Sequence, residues 1–288
     1  MARRIGFLHP GTMGISLAAS AKNSGHTAIW ASEGRSQATL DRANSQDLID
    51  TGTLQSLCET CDTIVCVCPP AAAEEIAHSV LATGFQGLYV DANAISPART
   101  RRINAAMSAG GTRFVDGSVM GGPAWTPGRT FLYLAGPHAE EAATCFSAGP
   151  LDTYVLGSEV GRAAALKMCF AAYTKGSSAL LSAIMAAAKA NGVLDALAMQ
   201  WSRNSSDFAQ QTERRVRGVT TRAWRFAGEL DEIADTFRDA GLPAGFGEAA
   251  AEIYRRTAHF KAAPEPPPLD AILAALVDDP RTSGSGES

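Results

Sequence analysis

The chain has 288 residues, of which 46% are hydrophobic and 19% charged, and its formal net charge is −4. This apolar fraction is enough to fill the cores of one or two domains, which excludes an intrinsically disordered chain. Because acidic residues outnumber basic ones, no basic surface is indicated for binding phosphates, and we expect no nucleic-acid partner.

No stretch of the sequence suits a membrane. A spanning helix needs about 20 consecutive apolar residues, and the best candidate, 178–190, is shorter and contains Lys189. The two arginines at the start precede an apolar run that is too short for a signal peptide. We therefore expect a cytoplasmic protein without a membrane partner.

Short apolar runs alternate with helix-like stretches in the first half of the chain, which is typical of βαβ units on a parallel sheet. Strands are predicted at residues 4–8, 27–31, 63–68, 88–91, 114–116 and 130–134. Helices are predicted at residues 12–24, 37–44, 71–82 and 97–109. The pattern predicts an α/β Rossmann dinucleotide-binding domain over residues 1–157.

The composition changes near Gly157. Residues 158–190 are rich in Ala, Leu, Met and Lys, contain no proline and precede Asn191-Gly192, which predicts one long helix with a glycine cap. Further helices are predicted at 194–205, 206–217, 221–240 and 246–259 and, after a proline cluster at 264–268, at 269–277. We expect residues 158–288 to form an all-α domain for substrate binding and dimerisation, with a disordered tail from about residue 278.

Four of the six cysteines are close together in the sequence. Cys58 and Cys61 form a C-x-x-C pair, which would suit a redox pair or half of a zinc site. Cys66 and Cys68 fall on one face of a predicted strand. Since a closed zinc site needs four converging ligands, we interpret these cysteines as structural thiols and predict no metal site. A metal or redox role is the alternative.

The first predicted strand leads into a loop and then a helix. The loop consists of His9, Pro10, Gly11, Thr12, Met13 and Gly14. Glycines let the backbone approach a pyrophosphate, and the N-terminus of a helix supplies N–H groups and partial positive charge. This position is the context that a dinucleotide fingerprint requires, so we predict a cofactor loop. Its usual first glycine is His9 here, and the following proline predicts a differently built turn.

The turn after the second strand, residues 32–36, is where such folds contact the adenosine ribose. Glu33 would accept a hydrogen bond from a 2′-hydroxyl and would favour NAD. Arg35, flanked by Ser32 and Ser36, suits a 2′-phosphate, because a guanidinium pairs with phosphate in a bidentate way. We predict NADP as the cofactor, with NAD as the alternative and a solvated turn as the interpretation without function.

Three more segments end predicted strands at the carboxyl edge of the sheet, where ligands bind in open α/β folds. The first two contribute Cys68 with Pro69, and Asn93, to the predicted cofactor site. The third, residues 116–123, is interpreted as a loop whose glycines offer N–H donors to an anionic or carbonyl group. Its candidate substrate-binding residues are Ser118, Met120, Gly121 and Gly122.

In this order the motifs resemble the β-hydroxyacid dehydrogenase family, which includes 6-phosphogluconate and 3-hydroxyisobutyrate dehydrogenases. The resemblance spans most of the chain and rests on residues 11–14, 91–97, 116–122 and the long helix with Lys167. Residues 32–36, 167–176 and 224–229 look like a poorly characterised subgroup with a distinctive C-terminal helical domain. The resemblance implies a Rossmann domain, then an all-α domain, and a homodimer joined through the helical half.

In that family a lysine on the long helix is the catalytic acid and base, and Lys167 matches its position. A lysine exchanges protons near neutral pH only where burial or neighbours lower its pKa, and a solvated surface lysine is the alternative. The family's asparagine four residues later is Ala171 here, and the serine before the paired glycines is Met120. Both positions normally hold the carboxylate or hydroxyl of the substrate. We therefore expect a larger or less polar ketone or alcohol.

The angular positions of two further residues on the predicted long helix indicate whether they face the same side as Lys167. Thr174, about two turns after Lys167, is predicted to share its face and to bind substrate, whereas Lys175 lies about 80° around the helix. Arg225 and Glu229 stand at i and i+4, which suits either a cleft-lining pair or a surface ion pair. His78, His138 and His259 are interpreted as structural, and the charged run 213–217 as a solvated helix face.

We therefore predict an NADP-dependent oxidoreductase that transfers hydride between nicotinamide and a carbonyl or alcohol substrate, with Lys167 as general acid and base. One alternative is an imine reductase on the same fold. Those relatives tend to carry a carboxylate or phenol in place of the lysine, so Lys167 argues against it. The other alternative is a dinucleotide-binding sensor without turnover.

Overall fold

The structure is a computed structural model, and it describes residues 2–263 and 265–278. The chain divides into two compact units, Met1–Met168 and Cys169–Ser288. This division falls later than the change of composition at Gly157, and the domain boundary at 157/158 stays a prediction. Apart from its first residue, the predicted disordered tail lies outside the described residues.

The first unit is built on an eight-stranded sheet. Its strands are β1 (Arg4–Phe7), β2 (Thr27–Trp30), β3 (Ile49–Asp50), β4 (Thr63–Cys66), β5 (Leu88–Asp91), β6 (Arg113–Gly121), β7 (Thr130–Ala135) and β8 (Leu151–Val155). The strand order is β3-β2-β1-β4-β5-β6-β7-β8, and every neighbouring pair is parallel except β6 with β7. The order reverses between β1 and β4, and the crevice above their carboxyl ends is where dinucleotides bind in such sheets.

Helices connect these strands. They are α1 (Gly14–Asn23), α2 (Gln37–Ser45), α3 (Leu54–Thr60), α4 (Ala73–Ala82), α5 (Pro97–Ala109) and α6 (Ala139–Ala143), and α7 (Arg162–Ala171) follows the last strand. β4 and β5 are buried at every residue, as expected where helices cover both faces of a parallel sheet. One core cluster includes Phe7 and Trp30, and another includes Tyr89 and Phe114.

The prediction of a loop at 116–123 is wrong over most of its length. Residues 116–121 continue β6 and pair with β7, with Gly117 opposite Leu134 and Gly121 opposite Thr130. The glycines suggested a loop, but a Cβ at Gly117 would lie 3.0 Å from the carbonyl oxygen of Asp91. A glycine therefore allows two strands to approach closely here.

Other boundaries also differ from the predictions. β4 ends at Cys66 rather than at Cys68. The sequence patterns missed β3, α3, α6 and β8, which have two, seven, five and five residues. The two residues of β3 are too few to show the alternation of a strand.

The second unit is helical, as predicted. A π-turn (Ala172–Gly176) is followed by α8 (Ser177–Ala190), α9 (Leu194–Asn204), α10 (Phe208–Thr220), α11 (Ala223–Asp239), α12 (Gly245–Arg256) and α13 (Leu269–Val277). Met185, Val216 and Ile272 belong to its core cluster. Among the described residues, no helix combines the length and the apolar character needed to cross a bilayer.

The predicted single helix over 158–190 is wrong in two respects. Helical structure begins at Arg162, because Gly157 and Gly161 both adopt φ of +103°, in the left-handed region that favours glycine. A π-turn then interrupts the regular hydrogen-bond pattern at 172–176. Such turns are rare and occur frequently at functional sites.

Candidate active site

The loop after β1 has backbone donors that the chain itself does not use. Within the described residues, the amide groups of Thr12 and Met13 donate no hydrogen bond. Met13 is the N-cap of α1, and a Cβ added to Gly11 would meet no atom within 4 Å. N–H groups and open space at the start of a helix are what a pyrophosphate requires, so the loop fits a dinucleotide.

The carbonyl oxygen of His9 closes the turn after β1. The amide of Gly11 donates to the carbonyl oxygen of His9 at 2.7 Å. A Cβ at Gly14 would lie 2.2 Å from that same oxygen, so Gly14 is required for the turn to close. Arg42 on α2, a residue that sequence reasoning missed, donates from Nε to the carbonyl oxygen of Pro10 at 3.3 Å.

The predicted ribose turn follows β2 and leads into α2. The amide of Ser32 donates to Oδ1 of Asp50 at 3.1 Å, which fixes the end of the strand. Arg35 is exposed and forms no ion pair with any described residue. Ser36 is the N-cap of α2, and its Oγ lies 3.1 Å from Oγ1 of Thr39.

A short hydrogen bond joins the segments that follow β4 and β5. The amide of Cys68 donates to Oδ1 of Asn93 at 2.6 Å, and the amide of Asn93 donates to Oδ1 of Asp91 at 3.0 Å. Burial raises the pKa of the Asp91 carboxyl. The predicted cofactor residues Cys68 and Asn93 therefore lie together, while Pro69 between the two segments is exposed.

Two adjacent glycines, with different amounts of space around them, lie where β6 ends and its connection to β7 begins. Gly121 has φ of +106°, and a Cβ there would lie 2.2 Å from the carbonyl oxygen of Arg129. A Cβ at Gly122 would meet nothing within 4 Å. Before them, Met120 is buried, and the Oγ of the fully buried Ser118 has no hydrogen-bond partner among the described residues.

This connection is held against the loop after β1. The amide of Ala124 donates to Oγ of Ser16 at 2.9 Å, and that Oγ donates to the carbonyl oxygen of Met13 at 2.8 Å. The side chain of Trp125 next to it is 51% exposed. Sequence reasoning missed both Ser16 and Trp125. A serine inside a helix gives no signal of its own, but a tryptophan in a Gly-Pro-rich segment could have been noticed.

Lys167 lies near the end of β6. Its Nζ donates to the carbonyl oxygen of Val119 at 2.7 Å, and the side chain is half-buried. The carbonyl belongs to the strand that carries the predicted substrate residues Ser118 and Met120. The structure therefore brings Lys167 to the segment that the sequence analysis associated with it.

Asp116 on β6 fixes the helix that carries Lys167. Its carboxylate accepts hydrogen bonds from the amides of Gly161 at 2.8 Å, Ala163 at 2.9 Å and Ala164 at 3.1 Å. These amides lie at the start of α7, where no carbonyl of the helix can receive them. Burial raises the pKa of Asp116 to about 6, although the three amides oppose this shift.

Ala171 and Thr174 belong to the second unit. Ala171 is buried, and Oγ1 of Thr174 donates to the carbonyl oxygen of Phe170 at 3.0 Å. The angular positions predicted for Thr174 and Lys175 assumed a regular α-helix. Since residues 172–176 form a π-turn, that derivation is wrong, and their relation to Lys167 stays a prediction.

The second unit holds its π-turn with two polar contacts. Lys175 forms an ion pair with Glu229, whose side chains are 16% and 13% exposed. Arg215 donates from Nη2 to the carbonyl oxygen of Thr174 at 2.8 Å and from Nε to Oγ of Ser178 at 2.7 Å. Glu229 therefore pairs with Lys175 and not with Arg225.

Two surface interpretations from the sequence are corrected by these contacts. The charged run 213–217 is not simply a solvated face, because Arg215 and Arg217 donate to backbone carbonyls. Arg225 lies over the ring of Phe226, with 5.8 Å between its Cζ and the ring centroid. Within the described residues, no group of three or more His, Cys, Asp or Glu is placed to hold a metal ion.

Comparison with protein families gives two matches along the chain. The profile of the NAD-binding domain of 6-phosphogluconate dehydrogenase matches residues 4–147. The chain belongs to this family. Residues 188–257 match a domain of unknown function, DUF1932. Among curated proteins, none matches the chain significantly.

Solved structures with the same fold span nearly the whole chain. A conserved protein of unknown function, described as similar to 3-hydroxyacid dehydrogenases, is 26% identical, with 90% of this chain and 98% of that one covered and a TM-score of 0.66. The 3-hydroxyisobutyrate dehydrogenase of Mycobacterium tuberculosis is 18% identical (96% and 100% covered, TM-score 0.69). An imine reductase of Myxococcus stipitatus, in complex with NADP+, is 17% identical (96% and 100% covered, TM-score 0.57).

Family membership confirms the resemblance, the Rossmann domain followed by helices, and an NAD(P)-dependent dehydrogenase or reductase. Solved imine reductases of this fold are in complex with NAD+ in one structure and with NADP+ in another, so the choice of NADP over NAD stays a prediction. The same holds for the roles of individual residues, including Lys167.

Proposed function

We propose that this member of the 6-phosphogluconate dehydrogenase family is an NADP-dependent oxidoreductase acting on a carbonyl or alcohol, with Lys167 as general acid and base. The observation that carries the proposal is the 2.7 Å hydrogen bond from Lys167 Nζ to the carbonyl oxygen of Val119. It holds an ammonium beside the connection that Ser16 ties to the loop after β1.

A bound nicotinamide would supply or accept the hydride. In the direction of reduction, Lys167 would donate its proton to the oxygen on which negative charge develops, which is general acid catalysis. Val119 would keep the ammonium oriented until the substrate oxygen replaces it as acceptor. Asp116 would act as a positioning residue, since it holds the first turn of α7.

The preference for NADP rests on Arg35. Its side chain is exposed after β2 and has no carboxylate partner among the described residues. Ser32 and Ser36 on either side would add hydroxyl donors to a 2′-phosphate. A guanidinium is favoured for this task because its planar donors match two phosphate oxygens.

The substrate is proposed to be a larger or less polar ketone or alcohol than the small hydroxyacids. Met120 places a thioether where the family has a serine, and its side chain is buried. Trp125 adds an exposed aromatic surface beside the same connection. Both features favour contact with apolar or aromatic groups.

We propose a homodimer joined through the helical unit. A groove of about 1020 Å³ lies between the π-turn, α8, α11 and α12. It is lined by Tyr173, Leu180 and Phe246, which are 73%, 60% and 78% exposed. Exposed apolar surface of this kind is typical of a protein interface. Light scattering at micromolar concentration should give a mass near twice 30.0 kDa, and a mass of one chain would contradict the dimer.

We propose a cytoplasmic enzyme because all six cysteines are free thiols, which suits a reducing compartment. The enzymatic proposal is tested with a panel of ketones, aldehydes and cyclic imines, with NADPH or NADH and with Lys167→Met as the comparison. Turnover of carbonyl compounds that depends on Lys167 is expected. Turnover of imines alone would favour the imine reductase, and tight cofactor binding without turnover would favour the sensor.

A further inference from the structure

Two thiols lie next to each other at the end of β4, in the crevice predicted to hold the cofactor. The Sγ atoms of Cys66 and Cys68 are 3.9 Å apart. Cys66 is fully buried, whereas Cys68 is half-buried and therefore accessible to small molecules. The proposed hydride and proton transfers use neither sulfur atom.

The surroundings of Cys66 are polar, which is unusual for a structural thiol. Nδ2 of Asn93 donates to its Sγ at 3.5 Å. Nδ1 of His9 and the hydroxyl of Tyr89 also lie near this sulfur, and both atoms are buried with no hydrogen-bond partner among the described residues. Polar groups of four residues, counting Cys68, therefore converge on one sulfur atom.

These groups distinguish Cys66 from the other buried cysteines. Burial raises the pKa of the Cys61 thiol to about 12 and that of Cys145 to about 11. In contrast, the contact with Cys68, together with the polar groups of His9, Tyr89 and Asn93, lowers the pKa of Cys66. A thiolate is the reactive form of cysteine.

We propose that Cys66 and Cys68 form an oxidation site, at which a hydroperoxide converts the two thiols into an intrachain disulfide that weakens cofactor binding. The effect on the cofactor rests on the proposed function, whereas the disulfide itself does not. Transient disulfides that sense oxidants are the kind found in reducing compartments.

The reaction has two steps. The thiolate of Cys66 accepts the proton of Cys68, whose own pKa is raised by this contact and by burial, and the sulfur of Cys68 attacks one oxygen of the hydroperoxide. The O–O bond breaks, Cys68 becomes a sulfenic acid, and the alkoxide leaves as the alcohol with a proton from solvent. The sulfur of Cys66 then attacks the sulfur of Cys68, the S–O bond breaks, and hydroxide leaves as water with the proton of Cys66. The two sulfur atoms together lose two electrons, which the peroxide accepts.

Closing the bond requires movement at the cofactor crevice. A disulfide has an S–S length of about 2.05 Å, so the sulfur atoms must approach from their present separation of 3.9 Å. The amide of Cys68 is hydrogen-bonded to Asn93 at 2.6 Å, and the displacement strains this contact. Cys68 and Asn93 are both predicted cofactor residues, so the oxidised chain should bind the dinucleotide more weakly.

The first experiment treats the full chain with hydrogen peroxide and measures its intact mass and peptide map. We expect the loss of two hydrogen atoms, located in the peptide that contains residues 66–68 and reversed by dithiothreitol. Cys68→Ala should abolish this loss. Cys66→Ala should instead leave a sulfenic acid on Cys68 that a cyclic 1,3-diketone traps. Cys169→Ser, which removes an exposed cysteine, should oxidise like the wild type.

The second experiment titrates NADPH before and after peroxide treatment. Oxidation should lower the affinity by about tenfold or more, and dithiothreitol should restore it. In Cys68→Ala, peroxide should leave that variant's own affinity unchanged. The inference would be overturned if the peptide with residues 66–68 showed no change in mass. It would also be overturned if the chain with the disulfide bound NADPH as tightly as the reduced chain. If the untreated chain binds neither NADPH nor NADH, the proposed function fails while the mass measurement still tests the thiol pair.

Discussion

Lys167 and Lys175 are close in the sequence but have different environments. The ammonium of Lys167 donates to a strand carbonyl, that of Val119, at 2.7 Å. The ammonium of Lys175 is paired with the carboxylate of Glu229 and lies 4.8 Å from the centroid of the Phe226 ring. A carbonyl is a neutral partner that a substrate oxygen can replace, whereas leaving a buried carboxylate unpaired costs far more.

The backbone conformation also differs between the two lysines. Lys167 lies on the regular helix α7, whose start is held by Asp116. Lys175 lies in the π-turn, where its carbonyl oxygen accepts a hydrogen bond from the hydroxyl of Tyr254 at 2.9 Å. Under the proposed function, the first lysine takes part in the chemistry, whereas the second holds an irregular turn together.

Of the substitutions that test this difference between the two lysines, Lys167→Met should have the largest effect. The substitution keeps the length of the side chain and removes its charge, and loss of a general acid costs about 10²–10⁴-fold in rate. We expect turnover of the best carbonyl compound of the panel to fall by this factor while calorimetry gives an unchanged affinity for NADPH. A variant within a few-fold of the wild type would contradict the assignment of Lys167.

Lys175→Met should show the opposite behaviour. It leaves Glu229 unpaired at 13% exposure, and removing one partner of a buried pair destabilises by about 3–5 kcal/mol, which the partial exposure reduces to about 2–4 kcal/mol. Thermal or urea unfolding should show this loss, with a smaller loss in Lys175→Met/Glu229→Leu. A stable Lys175→Met enzyme with greatly reduced turnover would reverse the roles of the two lysines.

Asp116 allows a further test of the difference between the two lysines, because its carboxylate holds the start of the helix that carries Lys167. Its pKa is raised to about 6, so the folded chain binds this proton more tightly than the unfolded chain does. Its contribution to the free energy of unfolding is therefore greatest at low pH and declines as the pH rises from about 4 to about 6. Above that window the contribution stays constant.

The measurement compares wild type and Asp116→Asn by urea unfolding at several pH values. The stability of the variant relative to the wild type should rise by up to about 3 kcal/mol across this window, because one pKa unit corresponds to about 1.4 kcal/mol. Asp41→Asn, at an exposed position, is the control and should run parallel to the wild type. If the free energy of unfolding of Asp116→Asn changed with pH as that of the wild type does, the proposed titration of Asp116 would be contradicted.

Arg35→Ala should have the smallest effect, confined to the cofactor. Loss of a hydrogen bond to a charged group costs about 1.5–3 kcal/mol, so NADPH should bind about 10- to 100-fold more weakly while NADH is spared. Calorimetric titration of both cofactors measures this difference, and Arg214→Ala, an exposed arginine on α10, controls for net charge. Equal losses for both cofactors would mean that Arg35 does not select the phosphate.

The sequence predicted the parts of the fold that repeat a simple pattern. Fully apolar runs such as Ile64–Val65 and the loop before α1 indicated a parallel sheet and a dinucleotide site. The course of residues 116–121 was not predictable, because Gly117 signals a turn in isolation and its reason for being glycine is the neighbouring carbonyl of Asp91. That carbonyl belongs to another strand, which local sequence does not reveal.

The candidate site also contains residues that could be predicted from the sequence and residues that could not. The positions of Lys167 and Gly11 were predictable, since a family resemblance and a strand–loop–helix order pointed to them. The capping role of Asp116 was not, because its partners lie 45 to 48 residues away along the chain. The π-turn was also missed, because the contacts that hold residues 172–176 come from Glu229, Arg215 and Tyr254, which are distant in the sequence.

The two adjacent glycines at the end of β6, Gly121 and Gly122, have a consequence for directed evolution of this protein. Gly121 cannot accept a side chain, because a Cβ there would overlap the carbonyl oxygen of Arg129. A Cβ at Gly122 would meet no atom within 4 Å, so a library at this one position can introduce side chains without a clash at Cβ. New substrate preferences should therefore be reached more readily through codon 122 than through codon 121.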